Sequence, residues 1–312
     1  MTYNHEKFIR DAIEGFLMQK TSFPVEILIH DDASTDSTAD IIREYERKYP
    51  HLIKPVYQLE NQYSKKRGLI TKIQNERTQG KYVAKCEGDD YWTDPGKLQK
   101  QVDFLESHPD HVLCCSGYET LVQETGERTT EIETRFMKDP DGFSFTLLEM
   151  SISWFTKPLT SMFRSEIIRK DPAMLTSYRY CRDVHLFYHL MKEGRGYYFN
   201  EVYGVYRIHP GGIKSLAGAR FNKNIAYERS KELYERNRDT YTRVLHLRSV
   251  SSLLKYDLRH GYPDNTLKRR CLLLLKLLKY GLSPSLIVNF VKVGLKMRKR
   301  GRSAGHRAMS AE

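Results

Sequence analysis

Residues 82–94 read Tyr-Val-Ala-Lys-Cys-Glu-Gly-Asp-Asp-Tyr-Trp-Thr-Asp, a short apolar strand followed by an acidic cluster and an aromatic pair. The carboxylates of Glu87, Asp89 and Asp90 repel one another, and their charge is costly beside a core unless a cation or solvent compensates it. Oxygen ligands at the end of a strand suit Mn²⁺ or Mg²⁺, which proteins usually hold with one or two carboxylates and a substrate's phosphates. Taken alone, the cluster is equally compatible with a solvated acidic turn.

A second acidic loop lies upstream. The apolar run at residues 23–30 ends at Asp31-Asp32-Ala33-Ser34-Thr35-Asp36, whose small polar residues can cap a helix predicted over residues 39–48. Strands and helices alternate in this way to about residue 116, which predicts a doubly wound α/β sheet with ligands beyond the carboxyl ends of its strands. We therefore expect both acidic loops at the same edge of one parallel sheet, where they would bind a nucleotide.

The chain lacks a Gly-rich phosphate-binding signature after a strand. This argues against ATP hydrolysis and against binding of NAD, both of which use such a loop at a helix N-terminus.

Three motifs together resemble those of the inverting glycosyltransferases of family 2: Thr2-Tyr3-Asn4, the acidic run that begins at Asp31, and Glu87-Gly88-Asp89-Asp90. The resemblance extends to about residue 215. It implies the GT-A fold, which is a Rossmann-like, mixed α/β sheet flanked by helices, here followed by a C-terminal helical extension. It also implies a nucleotide diphosphate sugar as donor, with a UDP-sugar favoured, and a role in bacterial surface polysaccharide synthesis.

The resemblance also assigns residues to the donor site. Asp32 would contact the base, Glu87 the ribose, and Asp89 an Mn²⁺ or Mg²⁺ ion, with Asp90 as its neighbour or an alternative ligand. Glu87 replaces the Asp that is commoner in the family. The residues implied to bind the nucleotide sugar are Thr2, Tyr3, Asn4, Asp32, Glu87, Asp89 and Arg207.

Asp183 is the candidate catalytic base. An inverting displacement needs one general base on the face opposite the leaving group, and a carboxylate is the usual choice. Asp183 precedes a predicted helix that reaches about residue 193, and family members carry their base at the start of this helix. The alternative is a carboxylate that only stabilises the N-terminal end of the helix dipole.

Residues 203–212 form an aromatic strand that ends in a Gly-rich turn. The resemblance implies a segment that closes over the diphosphate, in which Arg207 supplies positive charge and His209 joins the metal. The glycines would let the loop move. The alternative for His209 is a partly buried histidine bonded to backbone.

Composition places further bounds. Five dispersed cysteines without metal-type spacing fit a reducing compartment, and the N-terminus is unlike a signal peptide, so we expect a cytoplasmic protein. We predict three parts, 1–118 for nucleotide-sugar binding, 119–215 for the acceptor and the base, and 216–312 as a helical extension. The family's first strand normally precedes Thr-Tyr-Asn and is truncated here to Met1, for which a mis-assigned start is the favoured explanation.

The net charge of +12 is concentrated towards the C-terminus. From Lys268 onwards leucines alternate with basic residues, without some twenty uninterrupted apolar residues, so a membrane-spanning helix is not expected. Basic amphipathic helices suit the anionic inner face of the plasma membrane. Packing of these helices on the catalytic core is the alternative, and the two are compatible.

The sequence thus predicts a metal-dependent transferase acting on a saccharide or lipid-linked acceptor. A sugar nucleotidyltransferase is disfavoured because its Gly-rich signature is missing from residues 2–10. Nucleic-acid binding is disfavoured because the basic residues interleave with leucines and form no aromatic-basic motif. A non-catalytic relative that keeps the GT-A fold as a scaffold is the remaining alternative, supported by the truncated strand and opposed by the intact acidic motifs.

Overall fold

The computed structural model describes residues 1–65, 68–212, 215, 218–260 and 275. The chain divides into two compact units, Met1–Gly212 and Ile213–Glu312. A further division of the first unit near residue 118 stays a prediction.

The first unit holds the strands and most of the described helices. Its strands are β1 (Ile27–Asp31), β2 (Ile53–Tyr57), β3 (Tyr82–Ala84), β4 (Tyr91–Trp92), β5 (His111–Val122), β6 (Arg128–Glu131), β7 (Gly142–Phe145), β8 (Met162–Arg164) and β9 (Arg195–Ile208). Its helices are α1 (Ile9–Leu17), α2 (Thr38–Lys48), α3 (Gln62–Lys65), α4 (Leu69–Arg77), α5 (Lys97–Ser107), α6 (Leu147–Ile152), α7 (Glu166–Lys170) and α8 (Asp183–Met191), with a 3₁₀ helix at Pro158–Thr160.

The strands form two sheets. β1 and β2 pair in parallel, while the other strands form a mixed sheet in the order β3-β8-β5-β9-β4, with β6 beside β5 and β7 beside β9. The predicted mixed α/β sheet is confirmed. The expectation that both acidic loops lie on one parallel sheet is wrong, because β3 pairs antiparallel with β8, a strand that lies far later in the chain.

Residues Met1 and Thr2 connect the two sheets through backbone hydrogen bonds. The Thr2 N–H donates to the carbonyl of His30 (2.9 Å), and the Thr2 carbonyl accepts from the N–H of Asp32 (3.0 Å). On the other side, the Met1 carbonyl accepts from the N–H of Gly88 (2.9 Å). The two acidic loops therefore lie on either side of the same two residues.

The core is built from amphipathic helices on the sheets. Apolar residues of α1 recur at the spacing that lines one helix face, and they pack with the inward side chains of β1, β2 and α2. The buried members of this cluster are Ile9, Ala12, Ile13, Ile27, Ile29, Ile42, Tyr45 and Ile53. A second cluster surrounds Trp92, whose indole Nε1–H donates to the carbonyl of Leu159 (2.7 Å), so this tryptophan is a core residue.

The second unit, as far as it is described, is a pair of helices, α9 (Gly218–Asn237) and α10 (Thr240–His260). Leu233, Val250 and Leu254 are buried in it. The predicted basic, leucine-rich run from Lys268 lies outside the described residues except for Leu275. In the described part of the chain, none of the helices is both long and apolar enough to cross a bilayer.

Ala33 has a backbone conformation that favours glycine, with φ at 62°. Because a Cβ is strained in this left-handed region, we expect Ala33→Gly to raise the free energy of unfolding of the first unit by about 0.5–1 kcal/mol. Urea unfolding followed by tryptophan fluorescence measures this, since both tryptophans lie in that unit.

Gly126→Ala is the matched control. Gly126 has φ at 73°, and no other atom lies within 4 Å of the position that a Cβ would take, so the substitution introduces backbone strain alone. It should lower the same free energy by about 1 kcal/mol. A loss of stability in Ala33→Gly would contradict the strain at residue 33.

Candidate active site

The loop after Thr2 is fastened to the first acidic loop. The Asn4 side-chain oxygen accepts from the N–H of Thr35 (2.8 Å), and the Asn4 N–H donates to the Ser34 hydroxyl (2.9 Å). The His5 N–H donates to the hydroxyl of Thr38, at the start of α2 (2.8 Å). Asn4 itself has φ at 55°, which asparagine tolerates better than most residues. These bonds fix the backbone position of His5.

The two aspartates of the first acidic loop are buried and bonded to their own surroundings. Asp31 accepts from the hydroxyl of Ser34 (2.5 Å). The two carboxylate oxygens of Asp32 accept from the N–H groups of Gln62 (2.7 Å) and Tyr63 (3.0 Å), at the start of α3. Asp32 thus ties this loop to residues 62–63, and its contact with a base stays a prediction.

Asp90 of the second acidic loop is buried under the strand β9. Its Oδ1 accepts from the backbone N–H of Arg207 (2.9 Å). Burial raises the pKa of Asp90 well above its usual value, the charge of Asp89 adds to the rise, and the N–H of Arg207 partly opposes it. Burial therefore disfavours the charged form of this carboxyl.

Asp89 instead faces two histidines. Its Oδ2 lies 3.2 Å from Nε2 of His209 and 4.0 Å from Nε2 of His5. One ligand atom from each of the three residues lies within 4.8 Å of the others. Phe8 packs against both imidazole rings, with ring centroids 4.5 Å from His209 and 6.3 Å from His5.

This group has the donor chemistry of a divalent cation site. Burial lowers the pKa of His5 although Asp89 opposes the effect, so the neutral imidazole that binds metals is favoured. One carboxylate and two imidazoles suit Mn²⁺ and other first-row ions, so the residues fit the predicted metal. Sequence reasoning missed His5 as a ligand; its only signal was its position directly after Thr2-Tyr3-Asn4.

The predicted residues Asp90 and Arg207 lie outside this group. The Arg207 guanidinium is buried, bonds to Asp11 and to the side-chain oxygen of Gln123 (2.7 Å for the latter), and lies between the rings of Phe8 and Tyr91. Its charge is therefore shared with Asp11 on α1. Diphosphate binding by Arg207 and metal binding by Asp90 stay predictions.

Asp183 is the first residue of α8, as expected, and its Oδ1 accepts from the N–H of Val184 (3.0 Å). Tyr206 relates it to the acidic cluster. Burial raises the pKa of the Tyr206 hydroxyl, and the charges of Asp90, Asp89 and Asp183 add to the rise. The pKa of this hydroxyl thus responds to the charges of the acidic cluster and of the candidate base.

Comparison with known proteins shows the family of the chain. The family described as glycosyl transferase family 2 matches residues 1–171, more than half of the chain. The chain belongs to glycosyltransferase family 2. The resemblance of its motifs to that family is therefore confirmed.

Curated relatives match different shares of the chain. An uncharacterized protein of Mycobacterium tuberculosis is 43% identical over 133 residues, which are 42% of this chain and 37% of that protein, so the match spans little more than a third of the relative's length. TuaG of Bacillus subtilis, whose name provisionally assigns it to teichuronic acid biosynthesis as a glycosyltransferase, is 30% identical over 69% of this chain and 79% of its own.

Two solved structures share the fold. S. aureus TarS in complex with UDP-GlcNAc superposes with a TM-score of 0.65 at 17% identity, over 89% of this chain and 79% of that one. The mannosyltransferase PcManGT of Pyrobaculum calidifontis, in complex with GDP-Man and Mn²⁺, superposes with a TM-score of 0.59 at 15% identity, over 97% of this chain and 80% of that one. The predicted GT-A fold is confirmed.

Gly88 allows the close approach between the second acidic loop and residues 2–5. A Cβ on Gly88 would lie 2.7 Å from the side chain of Thr2 and 3.0 Å from Nδ1 of His5. Because these contacts are too short, Gly88→Ala should lower the free energy of unfolding of the first unit by about 1–3 kcal/mol, measured by urea and tryptophan fluorescence.

Gly96→Ala provides the comparison for Gly88→Ala. A Cβ there would meet only the movable side-chain ends of Asp94 (3.2 Å) and Lys100 (3.5 Å). The free energy of unfolding should therefore fall by less than about 1 kcal/mol. Equal stability of the two variants would show that the loop at Gly88 is not packed as described.

Proposed function

We propose that the chain is a metal-dependent, inverting glycosyltransferase of surface polysaccharide synthesis. It transfers a sugar from a nucleotide diphosphate donor, with a UDP-sugar favoured, to a saccharide or lipid-linked acceptor. The observation that carries the proposal is the group of His5, Asp89 and His209, which lies beside the family's acidic motif. The donor complexes of TarS and PcManGT, one with a UDP-sugar and one with GDP-Man and Mn²⁺, support the same donor class.

Asp89, His209 and His5 would hold the cation, with Asp90 as the alternative ligand predicted from the motif. A bound divalent cation supplies positive charge to a diphosphate, which is how such ions assist sugar transfer. Asp89 is the carboxylate of the acidic pair that faces the two histidines, whereas Asp90 bonds to the N–H of Arg207. The remaining donor contacts are proposed at Thr2, Tyr3, Asn4, Asp32, Glu87 and Arg207.

Asp183 acts as the general base. Its carboxylate takes the proton of the acceptor hydroxyl while the hydroxyl oxygen attacks the anomeric carbon from the face opposite the nucleotide. One base and one displacement give inversion. Support for this role comes from the position of Asp183 at the start of α8, where the family resemblance places the base.

The first test is binding of UDP and GDP, with and without Mn²⁺, by calorimetry. We expect one of the nucleotides to bind with Mn²⁺ and to lose at least about tenfold in affinity without it. In Asp89→Asn, which keeps the shape of the side chain and removes its charge, the Mn²⁺-dependent part of the affinity should disappear.

His51→Ala serves as the matched control, because His51 is exposed and lies outside the group. It should bind as the wild type does, while His5→Ala and His209→Ala should weaken the Mn²⁺-dependent binding. A folded wild-type chain that binds neither nucleotide would overturn the proposal and favour the non-catalytic scaffold.

The second test concerns the base. Asp183→Asn should lower the rate of transfer about 10²–10⁴-fold while the affinity for the nucleotide with Mn²⁺ stays unchanged, because the side chain acts only on the acceptor's proton. With water as the acceptor, slow release of the nucleotide from the donor sugar provides the measurement. A rate close to that of the wild type would assign Asp183 to helix stabilisation alone.

A further inference from the structure

Lys157 is a cation near the acidic cluster that the family motifs do not include. It lies between α6 and the 3₁₀ helix, directly after the buried residues Phe155 and Thr156. Its carbonyl accepts from the hydroxyl of Ser161 (2.5 Å) and from the N–H of Thr160 (3.3 Å). The backbone of Lys157 is therefore held in place, and its side chain is half-buried.

The ammonium of Lys157 lies over two tyrosines of the mixed sheet. Its Nζ is 5.6 Å from the ring centroid of Tyr118 on β5 and 5.3 Å from that of Tyr206 on β9. Its charge also acts to lower the pKa of Asp90, against the larger effects of burial and of Asp89. Among the residues that the structure describes, Lys157 forms no ion pair.

Two other cations of this region already have partners. The Arg207 guanidinium bonds to Asp11 and Gln123. Lys97 is buried, donates to the side-chain oxygen of Gln101 (2.7 Å) and lies over the indole of Trp92. Lys157 is thus better placed than either to bind an anion that enters the site.

Tyr206 relates Lys157 to the acidic cluster. Tyr206 directly precedes Arg207, whose backbone N–H bonds to Asp90 beside Asp89, and Lys157 lies over the Tyr206 ring. In the function proposed above, Asp89 would hold the cation that binds the diphosphate, and Asp183 takes the proton of the acceptor hydroxyl. The bond from the sugar to its phosphate must break between the diphosphate and the acceptor hydroxyl. As it breaks, negative charge develops on the leaving phosphate oxygen.

We propose that Lys157 binds the departing phosphate of the nucleotide diphosphate, the role that the sequence motifs assign to Arg207. This inference rests on the proposed function. The acceptor oxygen forms its bond to the anomeric carbon, and its proton passes to Asp183. The bond from the anomeric carbon to the phosphate oxygen breaks, and its electron pair stays on the phosphate, where the ammonium of Lys157 donates a charge-assisted hydrogen bond.

The test compares nucleoside diphosphates with monophosphates, which lack the departing phosphate. Calorimetry with Mn²⁺ is run with UDP and UMP, and with GDP and GMP, on the wild type, Lys157→Gln and Lys157→Arg. Lys157→Gln should bind the preferred diphosphate about tenfold to a hundredfold more weakly, the range of one charge-assisted hydrogen bond, with the monophosphate unaffected. Lys157→Arg, which keeps the charge, should recover most of the loss.

Lys170→Gln is the matched control, since Lys170 is an exposed lysine of the same unit, on α7, and should leave both affinities unchanged. Unchanged diphosphate binding by Lys157→Gln, or an equal loss for both nucleotides, would overturn the role of Lys157. If Asp89→Asn loses the Mn²⁺-dependent binding while Lys157→Gln keeps it, only this inference fails. If the folded wild type binds no nucleotide, the proposed function fails with it.

Discussion

The whole site depends on backbone hydrogen bonds at Met1 and Thr2. They hold the loop after β1 on one side and the loop after β3 on the other, although these loops belong to different sheets. Carboxylate-rich loops would otherwise separate, because like charges repel. Main-chain bonds are independent of side-chain charge, so they keep the loops together whether or not a cation is present.

The carboxylates of the second acidic loop have different surroundings. Asp90 is buried under β9 and accepts from the backbone N–H of Arg207, and burial raises its pKa. The Arg207 guanidinium is paired with Asp11 instead of with the cluster. Asp89 faces the imidazoles of His5 and His209, and one carboxylate with two imidazoles has the donor chemistry that suits a first-row metal ion.

Sequence patterns predicted the features that depend on residues close together along the chain, such as helices. The helix predicted over residues 39–48 follows from local periodicity and polar residues at its start, and the structure has it at Thr38–Lys48. The antiparallel pairing of β3 with β8 could not be predicted, since short apolar strands carry no signal of partner or direction. For the same reason neither the approach of His5 to Asp89 nor the pairing of Arg207 with Asp11 could be foreseen: each joins residues that are far apart in sequence and that meet only after folding.

The link at Met1 and Thr2 has an evolutionary consequence. Because the bonds between the loops use main-chain atoms, they do not depend on the chemistry of the side chains beside them. The hydroxyl of Thr2 is buried without a hydrogen-bond partner among the described residues, so even this side chain contributes no bond to the link. Gly88 is the exception, since a Cβ there would meet Thr2. Other positions of the two loops can therefore change in sequence without breaking the bonds that hold the loops together.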